Sequence, residues 1–291
     1  MKKVWAPLAF FLVLVALVVL VVYFGLGYIR EHRSPDLLTV AYLDVGQGDA
    51  FLIESPDEKQ VLIDGGRGAK VLRELPRVMG YFDRTIDVVI ATHPDSDHIG
   101  GLIDVLKRYE VQTIVMTNTV NDTPAYAAFL HAVENEGATL VEAKRGQVFD
   151  LGRGPSGSTT LSILFPDRDV RNLESNMSSI ITKLSYGDAD FMFTADSPKN
   201  IETYLVQLDG TSLESEVLKV GHHGSRTSTD SEFLEMVQPL YGIISSGKDN
   251  DYGHPHKEVL DILREHNVLI KNTADVGSII MESDGKTIWF K

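Results

Sequence analysis

The feature that most constrains this chain is the run Thr92-His93-Pro94-Asp95-Ser96-Asp97-His98-Ile99-Gly100-Gly101. It follows a β-branched stretch, Val88-Val89-Ile90, and precedes a helix-like segment. A fold that buries the stretch must deliver two imidazoles and two carboxylates to the carboxyl end of a strand, where open α/β sheets place ligand sites. Alternate positions of an extended loop project to one side, so His93, Asp95 and Asp97 are predicted to converge. Packed together without a cation, these groups would repel or stay unsatisfied. The plain alternative is a polar surface loop in which Asp97 merely caps the next helix; the density of ligand types, followed by Gly-Gly, favours metal. The chain has no cysteine, which excludes disulfides, thiolate metal sites and thiol nucleophiles. Any metal must therefore be held by histidine and carboxylate.

Three further motifs follow the same pattern of apolar strand and polar turn. Val217-Leu218-Lys219-Val220-Gly221-His222-His223-Gly224-Ser225 ends a short strand in two histidines between flexible glycines. One of the pair is expected to bind metal and its neighbour to touch substrate or shuttle protons. Asp196 lies just past Phe191-Met192-Phe193 and before Ser197-Pro198, where an aspartate also makes a good helix cap. Asp251-Tyr252-Gly253-His254-Pro255-His256 places two histidines at a helix start, a position suited to an anionic substrate. Asp44 and Asp64 each sit in strand-to-glycine turns, where aspartate is ordinary turn chemistry. His32, His131 and His266 are isolated, and no role is assigned to them.

The N-terminus is of a different kind. Val4–Ile29 is a run of 26 residues without a formal charge, about 39 Å long as a helix and enough to cross a bilayer with some tilt. It is too long for a signal-peptide core, and Gly25-Leu26-Gly27-Tyr28 is a weak cleavage site. We expect residues 1–33 to be a single-pass anchor with its helix at about 4–29, and 34–37 to be a linker. Lys2 and Lys3 before the run and Arg30 and Arg33, diluted by Glu31, after it favour an extracytoplasmic domain. Setting those five residues aside leaves 23 basic and 40 acidic side chains, net −17, a poor non-specific binder of long DNA or anionic lipid.

Residues 38–291 alternate strand-like and helix-like segments. Antiparallel-looking strands come first (Leu38–Val45, Ala50–Glu54, Gln60–Asp64), and helices then intervene at Ala69–Tyr81, Gly101–Tyr109, Pro124–Glu136, Pro198–Leu208, Asp230–Met236 and His256–His266. Leu151–Thr159, rich in glycine and serine, reads as a loop. This order predicts α/β layers with two sheets rather than one doubly wound sheet.

The His93–His98 run resembles the signature loop of the metallo-β-lactamase superfamily, HxHxDH, with Asp95 in place of the middle histidine. That HxDxDHxGG form, together with Leu43–Ala50, Leu218–Ser225 and Tyr252–His256, is similar to the branch that contains the C-terminal domain of ComEC-type DNA-uptake proteins. The resemblance implies a four-layer αβ/βα sandwich with a dinuclear site on one edge. His93 and Asp95 would serve one metal and Asp97 and His98 the other; Asp196 would bridge them, and His222 or His223 would complete the second. Asp64 would support the site from behind. The family's usual further histidine before the bridging aspartate is missing, and Asn176 stands in that stretch as a substitute donor. Asp44, Ser225 and Lys248 are expected to support the site or meet substrate.

Imidazole with carboxylate suits Zn²⁺, and Asp95 in place of histidine shifts one site towards Mn²⁺. Two such ions would acidify a water that serves as nucleophile, with Asp97, His254 and His256 as the catalytic side chains. The expected substrate is a phosphodiester, small or nucleic acid, with DNA in mind. Another ester or amide (a lactone, a β-lactam, a phosphorylated wall component) is the alternative, and a non-catalytic metal-binding surface module is the third.

Overall fold

The structure, a computed structural model, describes residues 10–22 and 36–291. Residues 10–22 are helical (α1) with exposed apolar side chains. Among the described residues no helix is long and apolar enough to cross a membrane; the rest of the expected span at 4–29, and most of residues 1–35, lie outside them. Residues 36–291 form a separate compact unit, which the following concerns.

In chain order its elements are β1 (Leu38–Tyr42), β2 (Phe51–Glu54), β3 (Gln60–Ile63), α2 (Val71–Val78), β4 (Thr85–Ala91), α3 (Ser96–Ile99), α4 (Leu102–Val105), β5 (Glu110–Met116), α5 (Pro124–Glu136), β6 (Thr139–Glu142), β7 (Val148–Gly154) and β8 (Gly157–Phe165). There follow β9 (Ile181–Tyr186), β10 (Ala189–Phe193), α6 (Lys199–Asp209), β11 (Val217–Lys219), α7 (Ser231–Val237), β12 (Tyr241–Ile244), α8 (Lys257–Glu265), β13 (Leu269–Asn272), α9 (Thr273–Val276), β14 (Ile279–Ser283) and β15 (Ile288–Phe290). One sheet has the order β15-β14-β1-β2-β3-β4-β5-β6 and the other β13-β12-β11-β10-β9-β8-β7. The run β3-β4-β5-β6 is parallel, and so is β10-β11-β12-β13.

Period-two alternation builds three cores from these strands. Leu38, Val40 and Tyr42 of β1 and Phe191 and Phe193 of β10 point between the sheets. There Tyr42, Phe51 and Phe193 pack with ring centroids 5.3–6.1 Å apart. Ala41, Leu52, Leu62 and Val89 point outward onto α2, α4 and α5. Met192, Leu218 and Ile244 point outward on the other side onto α6, α7 and α8. The result is helix, sheet, sheet, helix: the four-layer αβ/βα sandwich. Strands buried on both faces read as continuous apolar runs, so the alternation was invisible in the sequence although the strands were not.

Local departures have physical reasons. Leu151–Thr159 is no loop but the strand ends and two-residue turn (155–156) of a β7–β8 hairpin, with a register shift between Asp150 and Arg153 around Gly152. β6 and β13, each paired to one neighbour at a sheet edge, carry only short or mixed patterns and escape sequence reading. The Gly101–Tyr109 segment contains only the single turn α4 as α-helix.

Glu202 on α6 is fully buried and accepts hydrogen bonds from the backbone N–H groups of Thr229 (2.9 Å) and Asp230 (3.0 Å). Burial outweighs those bonds and pushes its carboxyl up to about 7 from an ordinary 4.5. The folded chain therefore keeps a proton that the unfolded chain releases at lower pH. The associated stability is full below about 4.5 and is lost as pH rises to about 7. Chemical-denaturation midpoints of the wild type should fall over that window relative to Glu202→Gln; a constant difference between the two proteins across it would refute the shift.

Candidate metal centre

The site lies where carboxyl ends of both parallel runs meet. Asp64 follows β3, Thr92 and His93 follow β4, Asp196 follows β10, Lys219 ends β11, and His222 and His223 come just after it. Asp49 enters from the turn before β2. That turn must pass very close to the metal loop: a Cβ on Gly48 (φ 128°) would lie 2.1 Å from the Asp97 carbonyl oxygen, to which the Asp49 N–H donates at 3.2 Å. Only glycine fits there.

The His93–His98 loop is not extended throughout. It turns into α3 after Asp95, which takes the N-cap position with φ −72° and ψ 142° but makes no capping bond with its side chain. Asp97 and His98 therefore project from a helical turn, not from the alternating strand that spacing predicted. Asp196 is likewise no cap; the residue preceding α6 is Pro198.

One atom is the focus. Asp196 Oδ2 faces the Nε2 atoms of His98 at 3.3 Å, His223 at 3.4 Å, His222 at 3.5 Å and His93 at 4.0 Å. His223 Nε2 also faces Asp97 Oδ2 at 3.6 Å, and His93 Nε2 faces Asp95 Oδ2 at 3.7 Å. Every one of these imidazoles has its other nitrogen held. His93 Nδ1 meets Thr92 Oγ1 at 3.0 Å, His98 Nδ1 meets Asp64 Oδ2 at 2.8 Å, His222 Nδ1 meets Thr227 Oγ1 at 3.1 Å, and His223 Nδ1 meets the Ser245 carbonyl at 2.8 Å. Asp64 is fixed in turn by the Thr92 N–H (2.9 Å) and hydroxyl (2.6 Å). Outer partners that orient Nδ1 and free Nε2 are what metal-binding histidines require.

The donor set fits divalent cations. His93 Nε2, His98 Nε2, His223 Nε2 and Asp196 Oδ1 are buried without a hydrogen-bond partner, an expensive condition unless a cation is meant to sit among them. Ligand atoms close enough to share an ion come from His93, His98 and Asp196, and from Asp97, His98 and His223. Protons take up part of the negative potential otherwise. Burial opposes the charging of His98 and His223, yet Asp196 with Asp64 around the first and Asp196 with Asp49 around the second raise both well above the ordinary histidine range. His93, buried and beside His98, falls to about 3. Asp97 stays ionised despite its burial, held low by His223 and His98.

Backbone strain is concentrated here. Asp64, Ala195, His222 and His223 all have positive φ, between 47° and 59°. Consecutive left-handed residues at His222 (47°, 51°) and His223 (55°, 22°) are what aim both rings at the same carboxylate. Each such non-glycine residue costs about 1–2 kcal/mol.

Two residues that motif reading passed over complete the floor. Asp49 and Lys219 are both fully buried and form an ion pair. Lys219 Nζ also donates to the Ala195 carbonyl at 2.8 Å and lies 3.6 Å from Asp196 Oδ1. Asp49 stands 3.3 Å from His223 Nδ1 and 3.9 Å from His98 Nδ1. The available signal was a lysine inside an apolar strand and an aspartate opening one, each of which needs a buried partner. Other expected residues fall outside the focus. Asp44 braces its own turn, accepting the Gly46 N–H at 3.0 Å. Ser225 bonds Thr227 at 3.0 Å. Asn176 leaves its Oδ1 buried and unpartnered on the turn whose Ser175 hydroxyl holds Asp95 at 2.5 Å. Lys248 is exposed on the loop after β12. His254 lines the approach, its ring 5.6 Å from that of His222, with His256 at 4.9 Å beyond it.

A large cleft of about 870 Å³ lies apart from this cluster, lined by Lys144, Arg145, Arg168 and Arg171 among others. These cations are each paired, with Glu142, Asp209, Asp167 and Asp169, so the cleft is not a free basic groove.

His222→Gly removes a strained left-handed residue and one imidazole together. In the presence of chelator its thermal midpoint should match or exceed the wild type by up to a few degrees, about 1 kcal/mol. A lower midpoint in the chelated variant would show that the strain is not there.

The model of the Metallo-beta-lactamase superfamily matches residues 43–248. The chain is 32% identical to ComE operon protein 3 of Bacillus subtilis over 82% of its own length and 32% of that protein's. It is 28% identical to Competence protein ComA of Neisseria gonorrhoeae, over 87% of this chain and 33% of the relative. Over 40% of its length it is 34% identical to Ribonuclease Z of Aeropyrum pernix, 37% of which is covered. The chain thus spans about a third of the length of these relatives. Among solved structures, the metallo-beta-lactamase fold protein YhfI from Bacillus subtilis superposes with a TM-score of 0.53 at 15% identity, over 84% of this chain and 99% of that one, a likeness of fold. With the layered fold, the HxDxDH loop and the convergent imidazoles, these matches place the chain in the metallo-β-lactamase superfamily, among sequences similar to competence proteins.

Proposed function

We propose that this chain is a membrane-anchored, metal-dependent hydrolase of phosphodiesters, with DNA as the substrate class in view. The observation that carries the hydrolase is the convergence of four imidazole Nε2 atoms on Asp196 Oδ2, three of them buried without a hydrogen-bond partner. Phosphodiester chemistry is supported by the likeness to a ribonuclease and to competence proteins. The uncharged run at 4–29 supports anchoring, and the balance of Lys2 and Lys3 before it against Arg30, Glu31 and Arg33 after it supports a catalytic unit outside the cytoplasm.

Two divalent ions are proposed, Zn²⁺ first and Mn²⁺ second. His93, Asp95 and Asp196 would hold one; Asp97, His98, His223 and Asp196 would hold the other. Bound there, the cations supply Lewis acidity, which brings the pKa of a water towards neutrality and offsets charge developing on a phosphoryl oxygen. The protein's own part is positional. Asp64, Ser245 and Thr227 fix the imidazoles so that no reorganisation is needed during reaction. Asp97, its side chain 18% exposed and facing His223, would orient the attacking water, while Asp95, at 39%, is the more open carboxylate of the set. His254, half-buried and depressed to about 4 mainly by burial, is uncharged at neutral pH, and with His256 it lines the side where a leaving group departs.

Plasma mass spectrometry of the purified full chain should find about two Zn or Mn per chain. Asp97→Ala should lose metal and lose hydrolysis of a single-stranded DNA oligonucleotide by more than about a hundredfold. Full activity in that variant would overturn the metal mechanism. Turnover of a lactone or β-lactam in place of the oligonucleotide would move the substrate, and bound metal with no turnover would leave a binding module. The chain should also stay with membranes after a carbonate wash; release would remove the anchor from this reading.

A further inference from the structure

The loop that leaves β12 and returns to α8 is built to hold a shape. Asn250 Nδ2 donates to the carbonyls of Gly247 (2.8 Å) and His254 (2.7 Å), and its Oδ1 accepts from the N–H groups of Tyr252 (3.2 Å) and His254 (2.9 Å). The Gly247 N–H donates to Gln47 Oε1 at 3.0 Å, pinning the loop to the turn before β2. At the tip stands Tyr252, 55% exposed and outside every core cluster. Its ring lies over His254, centroids 5.6 Å apart and planes 20° from parallel. His254 is itself 5.6 Å from His222 and 6.2 Å from His223. The Arg67 guanidinium lies near the Tyr252 hydroxyl and in the field of Asp97.

A rigid aromatic ring, backed by another ring on one face and open on the other, adds little to folding. It is well suited to receive a flat π-system from solvent. Two ring spacings separate it from His222 and His223, the imidazoles that face Asp196, so a strand stacked on it would run on towards the focus. A lactone or β-lactam has no such flat face to offer, and a duplex hides the faces of its bases. Stacking is also independent of net charge, which matters for a unit at net −17.

We propose that Tyr252 is a stacking platform for an unpaired nucleobase of single-stranded nucleic acid, with Arg67 at its edge to meet the adjoining backbone phosphate. This rests on the phosphodiesterase reading and deepens it: the strand is gripped by its base while its phosphate lies at the metal centre.

The test is the affinity of the chelated full chain, by fluorescence anisotropy, for a labelled thymidine decamer and for an abasic backbone of equal length. The wild type should favour the base-bearing strand. Tyr252→Ala should reduce that preference about tenfold, and Tyr252→Phe and Tyr252→Trp should keep it. An unchanged preference in Tyr252→Ala, no preference in the wild type, or an equal loss in Tyr252→Phe would overturn the assignment. Cleavage of both strands after Mn²⁺ is restored separates the two readings. Cleavage with a preference that ignores Tyr252 overturns the platform alone. A preference that depends on Tyr252, without cleavage, upholds the platform and overturns the phosphodiesterase. Neither binding nor cleavage overturns both.

Discussion

Four imidazole nitrogens face one carboxylate oxygen, and the rest of the molecule can be understood as what makes that arrangement tolerable. A carboxylate buried to 3% exposure among histidines with orphaned Nε2 atoms is costly in a low-dielectric interior. The fold offsets the cost in layers. Asp64, Thr92, Ser245 and Thr227 occupy the outward nitrogens, and the Asp49–Lys219 pair closes the floor beneath Asp196. What stays unsatisfied points inward to a common space, the signature of a cation site rather than of a packing defect.

The two-sheet architecture follows from the same need. No single parallel run carries all the donors: β3 and β4 supply Asp64 and His93, while β10 and β11 lead to Asp196 and the histidine pair. Face-to-face packing of Leu38, Val40 and Tyr42 against Phe191 and Phe193 sets the carboxyl ends of both runs on one edge. Left-handed backbone at Asp64, Ala195, His222 and His223 then turns the chain sharply enough to bring the side chains inward. That strain is retained where function needs it, and it must be supported by the surrounding cores.

The acidic balance of the chain acquires a local meaning. Much of the excess is solvated surface, but Asp49, Asp64 and Asp196 are buried together and create the potential that favours cations. The approach is different in character, with Tyr252, His254, His256 and Arg67 exposed or half-exposed around it. The proposed base platform belongs to this rim, and the candidate metal ligands to the buried focus.

Much of this was legible in the sequence. The HxDxDH loop announces itself because four ligand residues straight after an apolar strand are hard to explain otherwise; the histidine pair gains its weight beside that loop, Asp196 reads equally well as a helix cap until the family resemblance singles it out, and the alternation of apolar segments predicts layered α/β structure. Edge strands β6, β7 and β13 were not legible, since strands with one paired side need no strong pattern. Nor were Asp49 and Lys219, whose meaning is a mutual contact across 170 residues that local spacing cannot express. The sequence by itself determined which groups must be satisfied and that the chain contains enough apolar surface to bury them. Only the tertiary structure decided which nitrogen of each histidine is free, that both His222 and His223 face Asp196, and that Asp44 does not. Those are matters of direction, fixed by left-handed backbone and by partners brought from the opposite sheet.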